Sequence, residues 1–267
     1  MPVVSRLASR FLSGFVLLIV TSLALPASGV AQTLSQAPVP DSAFAHVDSL
    51  RATGDFRAAL SRLSALRERH GEDVGILWRQ SLAHVDLAKT TDQDVEVEEA
   101  YREALAFADE ALMIDSMSAR AHEAKAIAEG RIALDAGTRE RVKRSRAVKR
   151  HADRAIELDS TLDGAYHTRA RWHREVADLG FLEKAVVKTI YGGLPEASFE
   201  QSVQDFQRAI ELHDERLHRL ELAKTYMKLD REAAAKKQLR ALLELPPRGA
   251  FDESYGYQAQ QMLSGFE

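Results

Sequence analysis

Residues 154–160 read RAIELDS, and nearly the same seven residues recur as EALMIDS at 110–116 and as RAIELHD at 208–214. Each stretch joins a small alanine to apolar residues and ends in polar residues that stop a helix. In repeats of paired helices, a small residue late in the second helix packs against the first helix of the next unit. Ala111, Ala155 and Ala209 fit that position. The recurring stretch therefore predicts stacked helix pairs.

Further units flank these three. Residues 54–60, GDFRAAL, supply a tight turn and the small residue Ala59 of a first unit. Near the end of the chain, Ala223, Ala235 and Pro247 fall at the usual offsets of a tetratricopeptide unit, whose period is about 34 residues. We therefore predict an all-α, tetratricopeptide-like right-handed superhelix of about five helix pairs over residues 41–267.

The repeated endings are spaced more widely than that period, which requires inserted segments. We expect the acidic stretch from Thr90 to Glu98 to be a surface loop. The second insertion carries apolar residues at helical spacing from Phe181 to Tyr191, before Gly192 and Gly193 end it. It predicts an extra central helix that either packs into the core or covers a partner site.

The N-terminal segment has the composition of a secretory signal. Arg6 and Arg10 precede an apolar run that ends at Leu25, and Gly29 and Ala31 occupy the small positions before a cleavage site. We predict a signal peptide over residues 1–31, a flexible lead-in over 32–40, and a periplasmic or secreted mature chain. An uncleaved membrane anchor is the alternative, although the apolar run is shorter than the roughly 20 residues of a spanning helix.

Charge restricts the classes of partner. The formal net charge is -4, which gives no general attraction to nucleic acid or anionic membranes. One cationic stretch stands out, and it is either an anion-binding face or a solvated helix surface. We expect no nucleic-acid binding, because no aromatic residues interleave with these cations. The candidate anion patch comprises Arg141, Lys143, Arg144, Arg146, Lys149 and Arg150.

Aromatic and apolar side chains supply candidates for a ligand-binding groove. First helices usually line the concave side of such a superhelix, and the inserted helix is the other apolar element. Packing between helices is the alternative for each of these residues. The candidate groove residues are Trp78, Tyr166, Trp172, Phe181, Val186, Ile190 and Tyr191.

Catalytic and metal motifs are absent from the sequence. The chain has no cysteine, no phosphate-binding glycine loop and no nucleophile elbow. Among nine histidines, His213 and His218 are five residues apart, and His167 and His173 are six apart, so neither pair has the spacing of a helical chelate. We therefore expect no enzyme activity, no cofactor and no metal site.

The chain resembles the regulator of microtubule dynamics family. The resemblance covers residues 41–263 and is carried by LWR at 77–79, AYH at 165–167, RWHREVA at 171–177 and YGGLPEASF at 191–199. Ala170 replaces a glycine usual in the family, and Tyr191 stands where a phenylalanine is usual. The resemblance implies a tetratricopeptide-like domain in which the long insertion is a family feature. It also implies phospholipid binding in the helical groove, as in some relatives.

Two functions remain open at this point. The first is a non-catalytic scaffold for a protein or peptide, as repeats of this type generally are. The second is binding of phospholipid or another apolar ligand in the helical groove, which the apolar insertion and the family resemblance favour. We do not expect microtubule regulation to carry over to this chain, whose N-terminal segment resembles that of a bacterial export product.

Overall fold

The computed structural model describes residues 39–266. Across these residues the chain forms twelve α-helices and no β-strand. In chain order the helices are α1 (Asp41–Ala52), α2 (Phe56–His70), α3 (Val74–Ala88), α4 (Asp94–Ile114), α5 (Ala119–Asp135), α6 (Thr138–Leu158), α7 (Asp163–Ala177), α8 (Phe181–Tyr191), α9 (Phe199–Leu212), α10 (Arg216–Lys228), α11 (Glu232–Glu244) and α12 (Asp252–Ser264).

The helices pair as the repeats predict. The pairs are α1 with α2, α3 with α4, α5 with α6, α7 with α9, and α10 with α11, while α12 packs against α10 and α11 as a closing helix. Helix α8 is inserted between the two members of the fourth pair. The all-α, tetratricopeptide-like superhelix with an extra central helix is thus confirmed.

Side-chain caps fix where several of these helices begin. Asp55, Asp73, Ser118 and Ser198 each accept a hydrogen bond from the backbone N–H three residues further on, at 3.1–3.2 Å. Such caps satisfy backbone donors that have no partner within the helix. A glycine fixes where α8 ends: Gly192, directly after the helix, adopts a left-handed conformation with φ of 75°, which favours glycine.

Alanines form the seams between successive pairs, as the recurring stretch predicted. Ala111 packs with Leu77 and Ala121, at the junction of the second and third pairs. Ala155 packs with Leu162 and Ala165 at the next junction. All of these side chains are buried. A larger side chain at a seam would separate two helix axes, so overpacking there costs about 1–3 kcal/mol.

The first insertion and the lead-in differ from expectation. Helix α4 begins at Asp94, so five of the nine residues of the predicted loop from Thr90 to Glu98 are helical, and the acidic side chains of Asp94 and Glu96 lie in the first turn, where they favour helix formation. Order extends two residues before Asp41, since Val39 packs into the first core cluster. The predicted signal peptide, residues 1–31, and residues 32–38 lie outside the described part of the chain. Within that part, no helix is both long and apolar enough to span a membrane.

Helix α8 forms where it was predicted but is not a core helix. Only Val187 among its apolar residues is buried, whereas Phe181, Leu182 and Ile190 are 85%, 76% and 65% exposed. Its C-terminal end is fastened to α6, where the Arg146 side chain donates to the carbonyl oxygens of Tyr191 and Gly193. The helix is therefore fixed to the scaffold while most of its apolar surface stays uncovered.

Candidate functional site

A groove of about 950 Å³ runs along the concave side of the repeat domain. It is lined by the first helices of the five pairs, α1, α3, α5, α7 and α10, and by the closing helix α12. Helices α6 and α8 complete its wall on one side. This is the size of a site that holds a small molecule or a short segment of another chain.

One part of the groove is an apolar chamber. It lies between α5, α6 and α7, and α8 borders it with Leu182 and Val186. Leu182 is 76% exposed and Val186 is 45% exposed although both line the groove, so their apolar surface faces open space rather than packed protein. The lining of the chamber comprises Ile127, Leu134, Val142, Val148, Trp172, Val176, Leu179, Leu182, Val186, Val187 and Leu194.

A row of cations follows the groove, one from each of its first four lining helices. Arg51, Lys89, Arg131 and Arg171 come from α1, the end of α3, α5 and α7. The first two share one carboxylate: Arg51 Nη2 lies 2.5 Å from Asp86 Oδ2, and Lys89 Nζ lies 2.8 Å from Asp86 Oδ1. Burial is the largest cause of the lowered pKa of Lys89, and the positive charges of Arg131 and Arg51 lower it further. The negative charge of Asp86 opposes this shift.

Arg131 lies at the centre of this row. No residue among 39–266 forms a hydrogen bond or an ion pair with its guanidinium group, and its charge contributes to lowering the pKa values of both Lys89 and Arg171. Burial is the largest cause of the lowered pKa of Arg171, whose Nε is 3.7 Å from a carboxylate oxygen of Glu221. An anion bound in the groove would relieve this repulsion.

Polar recognition in the groove depends on charge rather than on amides. The chain contains no asparagine. None of its glutamines within residues 39–266 lines the groove either. An extended peptide needs partners for its backbone N–H and C=O groups, and amide side chains can serve both at once. The lining is therefore better suited to a ligand with one charged end than to a peptide backbone.

Two of the seven candidate groove residues line the groove. Trp172 is buried in its wall, with Nε1 donating to Ser145 Oγ at 2.9 Å, and Val186 borders the chamber. Both positions follow from their helices, because Trp172 lies on the concave face of α7 and Val186 on the side of α8 that faces the groove.

The other five candidates lie elsewhere in the described chain. Trp78 packs in the seam beside Ala111, and the guanidinium group of Arg79 lies 4.0 Å from the centroid of its ring. The guanidinium group of Arg169 lies 5.4 Å from the ring centroid of Tyr166. Three candidates on α8 lie outside the groove lining: Phe181, Ile190 and Tyr191. Helical spacing identified the apolar residues of α8 correctly, but only some of them face the groove.

The candidate anion patch does not form one surface. Arg144 pairs with Glu129 at 2.7 Å, Lys149 pairs with Asp153 at 2.7 Å, and Arg146 binds the backbone after α8. Lys143 and Arg150 are exposed. Of the six, Arg141 alone lines the groove described here. Three of these cations thus stabilise contacts within the fold. Arg144 reaches α5 and Arg146 reaches the end of α8, which the sequence of α6 does not reveal, whereas the partner of Lys149 lies one turn further along α6 itself.

A cluster of histidines and carboxylates, which sequence analysis did not identify, lies at one end of the groove. His218 on α10 is 3% exposed, and its Nε2 donates to Asp163 Oδ2 at 3.0 Å, at the start of α7. The Nδ1 atom of His218 lies 2.8 Å from Nδ1 of the buried His167. His213 and Glu215, in the turn before α10, complete the cluster, with His213 Nδ1 3.1 Å from Glu215 Oε1.

A second pair of histidines lies away from the groove. His122 on α5 and His151 on α6 also bring their Nδ1 atoms to 2.8 Å, with ring centroids 5.1 Å apart. Burial is the largest cause of the lowered pKa values of both histidines, and it brings that of His151 to about 3 together with the positive charges of Lys125 and Arg150. Both histidines are therefore neutral in the folded chain at pH 7.

Comparison with known proteins identifies the repeat domain. The family model described as Regulator of microtubule dynamics protein 1-3 matches residues 43–267. Regulator of microtubule dynamics protein 1 of Bos taurus is 27% identical over 222 residues, which cover 82% of this chain and 69% of the relative. Regulator of microtubule dynamics protein 1 of Caenorhabditis elegans is 25% identical over 221 residues, which cover 82% of this chain and 97% of the relative. The chain spans only 39% of regulator of microtubule dynamics protein 3 of Xenopus laevis.

A solved structure matches the same fold. The crystal structure of a thermophilic TPR protein of Thermus thermophilus superposes with a TM-score of 0.62, covering 84% of this chain and 98% of that chain. The sequence identity of 16% makes this a likeness of fold alone. Proteins of this fold generally act as non-catalytic scaffolds that mediate protein interactions.

Proposed function

Because the chain belongs to the family described as Regulator of microtubule dynamics protein 1-3, we propose that it is a non-catalytic binding protein whose concave groove holds an anionic ligand with an apolar chain. A phospholipid or another acyl-chain amphiphile has this chemistry. Its apolar part enters the chamber beside α8, and its acidic group pairs with Arg131.

The position of Arg131 carries this proposal. It lies on α5 four residues after Ile127 and three before Leu134, so the three side chains share one face of the helix. Ile127 and Leu134 line the apolar chamber. A cation without a protein partner on an apolar face suits a ligand that brings its own negative charge.

An acidic segment of a partner protein is the second candidate ligand. The row of Arg51, Lys89, Arg131 and Arg171 supports it, because cations on successive first helices match acidic side chains along an extended chain. The absence of amide side chains from the described lining favours the amphiphile, since a peptide backbone has several groups to satisfy.

Native mass spectrometry of the full chain, followed by solvent extraction, tests the proposal. Wild-type protein should carry or take up an acyl ligand, whereas Val186→Glu, which puts a charge into the chamber, should lose it. Ile190→Glu is the matched control, because it lies one helical turn further along α8 and outside the groove lining. A wild-type chain that takes up no phospholipid, or equal binding by the Val186 variant, would contradict the proposal.

We also propose that residues 1–31 direct export and are removed, which places the protein in the periplasm or outside the cell. The small residues before Gln32 support this cleavage. The intact mass of protein recovered from a bacterial periplasm should correspond to a chain that begins at Gln32. A mass that includes residues 1–31 would contradict cleavage and support a retained anchor.

A further inference from the structure

Four potential metal ligands meet at the end of the groove where α7 and α10 begin. Asp163, His213 and Glu215 each offer one ligand atom, and these three atoms lie within 4.8 Å of one another. His218 adds its Nε2, which is 3.0 Å from Asp163 Oδ2 and 4.0 Å from Glu215 Oε2. All four residues line the groove, so an ion can reach them from solvent.

The separations match the size of a transition-metal site. Ligands at about 2.1 Å from a tetrahedral Zn²⁺ ion lie about 3.4 Å from each other. In the cluster, His213 Nδ1 is 3.1 Å from Glu215 Oε1 and 3.8 Å from Asp163 Oδ2. Small side-chain rotations would therefore bring these atoms onto one ion.

Packing behind the cluster supports the same role. A metal-binding histidine usually has its second ring nitrogen fixed by a hydrogen bond. His218 meets this condition, because its Nδ1 is 2.8 Å from Nδ1 of the buried His167. With an ion on Nε2, the Nδ1–H of His218 would donate to His167. Neither His218 nitrogen would then lack a partner.

Charge around the cluster also favours a cation. Asp163 and Glu215 supply two carboxylates, whereas the buried Glu123, which packs against Gly164, is already paired with Arg120 at 3.0 Å. Arg219 is already engaged, since it holds Asp214 in a two-point ion pair at 2.6–2.7 Å. Within residues 39–266, no Lys or Arg side chain forms an ion pair with Asp163 or Glu215, whose partners are His213 and His218.

We propose that Asp163, His213, Glu215 and His218 form a binding site for a divalent transition-metal ion, with Zn²⁺ as the best match. Two imidazoles and two carboxylates are the mixed nitrogen and oxygen set that such ions prefer, whereas Mg²⁺ and Ca²⁺ favour oxygen alone. The site is independent of the groove ligand, because none of its residues belongs to the chamber or to the row of cations.

Calorimetric titration of the chelator-treated full chain with Zn²⁺ tests the site. Wild-type protein should bind one ion, and His213→Gln and Glu215→Gln should each weaken binding by at least about 10-fold. Both side chains are half exposed, so these variants should stay folded. His122→Gln is the matched control, because its pair has the same nitrogen separation of 2.8 Å but no carboxylate ligand.

A second readout reports the coordination itself. Co²⁺ bound in place of Zn²⁺ should give a visible absorption spectrum in wild-type protein that changes in Asp163→Asn and persists in His122→Gln. The proposal is overturned if Zn²⁺ does not bind, if His213→Gln and Glu215→Gln bind it as tightly as wild type, or if His122→Gln weakens binding equally.

Discussion

The two histidine pairs share a geometry and differ in their surroundings. In each pair the Nδ1 atoms lie 2.8 Å apart. His122 and His151 are surrounded by the cations Lys125, Arg150 and Arg154, and the second ring nitrogen of His122 is 3.1 Å from the carbonyl oxygen of Ser116. That pair is a neutral packing contact between α5 and α6.

His167 and His218 lie instead among carboxylates. The second ring nitrogen of His218 contacts Asp163, and His213 and Glu215 stand beside it in the groove. The difference teaches that two histidines in contact can form a ligand-binding site only where the neighbouring charges suit the ligand and solvent can reach the imidazole groups. Proximity of the two rings alone does not distinguish a structural pair from a ligand-binding one.

Removal of the buried carboxylate of Glu221, near His167, should have the largest effect. Glu221 pairs with Arg174 at 2.6 Å, and both side chains are buried. Glu221→Leu leaves Arg174 without this partner and should cost about 3–5 kcal/mol in the free energy of unfolding, measured with urea. The exposed pair of Arg231 and Glu200, at 3.6 Å, is the control, because Glu200→Gln should cost less than about 1 kcal/mol. Similar losses of unfolding free energy in Glu221→Leu and Glu200→Gln would contradict a stabilising role for the buried pair of Glu221 and Arg174.

Metal should stabilise the chain through the cluster of Asp163, His213, Glu215 and His218. With free Zn²⁺ at about 100 times the dissociation constant, the free energy of unfolding should rise by about 2.7 kcal/mol in wild-type protein. The same rise is expected in His122→Gln, and little or none in Asp163→Asn. A rise that persists in Asp163→Asn would place the ion elsewhere.

Acid should act through the pair of His122 and His151. The pKa of His151 is lowered to about 3 in the folded chain, from an ordinary value of about 6.5 in the unfolded chain. The unfolded state therefore binds more protons below pH 6.5, and stability falls as pH decreases from 6.5 towards 3. Between pH 7 and pH 5 this histidine should remove about 2 kcal/mol.

Urea unfolding at the two pH values measures that loss. His151→Gln should show a smaller acid-dependent loss than wild type, and substitution of the exposed His46 by glutamine should leave the loss unchanged. An equal loss in wild type and His151→Gln would show that other groups cause the acid sensitivity.

The smallest effect is expected at His213. Its side chain is 53% exposed, so His213→Gln should change the metal-free stability by less than about 0.5 kcal/mol. The same variant should weaken Zn²⁺ binding. A large loss of metal-free stability would instead assign His213 a structural role, like that of His122 and His151.

Local patterns were sufficient to predict most of the fold. Ala111, Ala155 and Ala209 recur in one short stretch because every seam between helix pairs imposes the same steric limit. The helix from Phe181 to Tyr191 was predicted from apolar spacing and from the two glycines that follow it. Its exposure was not predictable, because spacing shows that a stripe is apolar but not what covers it.

The site depends on contacts that local patterns do not contain. Asp163 lies 50 or more residues before His213 and His218 in the chain, so the spacing between these two histidines did not indicate a cluster. Arg131 lies on a helix with many polar residues, and its lack of a partner is visible only when the facing helices are in place. Trp78 was predicted as a groove residue but packs between helices, since a large aromatic side chain suits a helix seam as well as a groove.

Binding of an acyl ligand to wild type, Arg131→Gln and Arg150→Gln tests the central claim most directly. Arg131 lines the groove and Arg150 is exposed on α6, outside it. For an anionic phospholipid, Arg131→Gln should weaken binding by about 10- to 100-fold, as expected for loss of a charged hydrogen bond, and Arg150→Gln should not. For an uncharged acyl lipid, all three proteins should bind alike. Equal binding of the anionic lipid by wild type and Arg131→Gln would contradict a groove built around this cation.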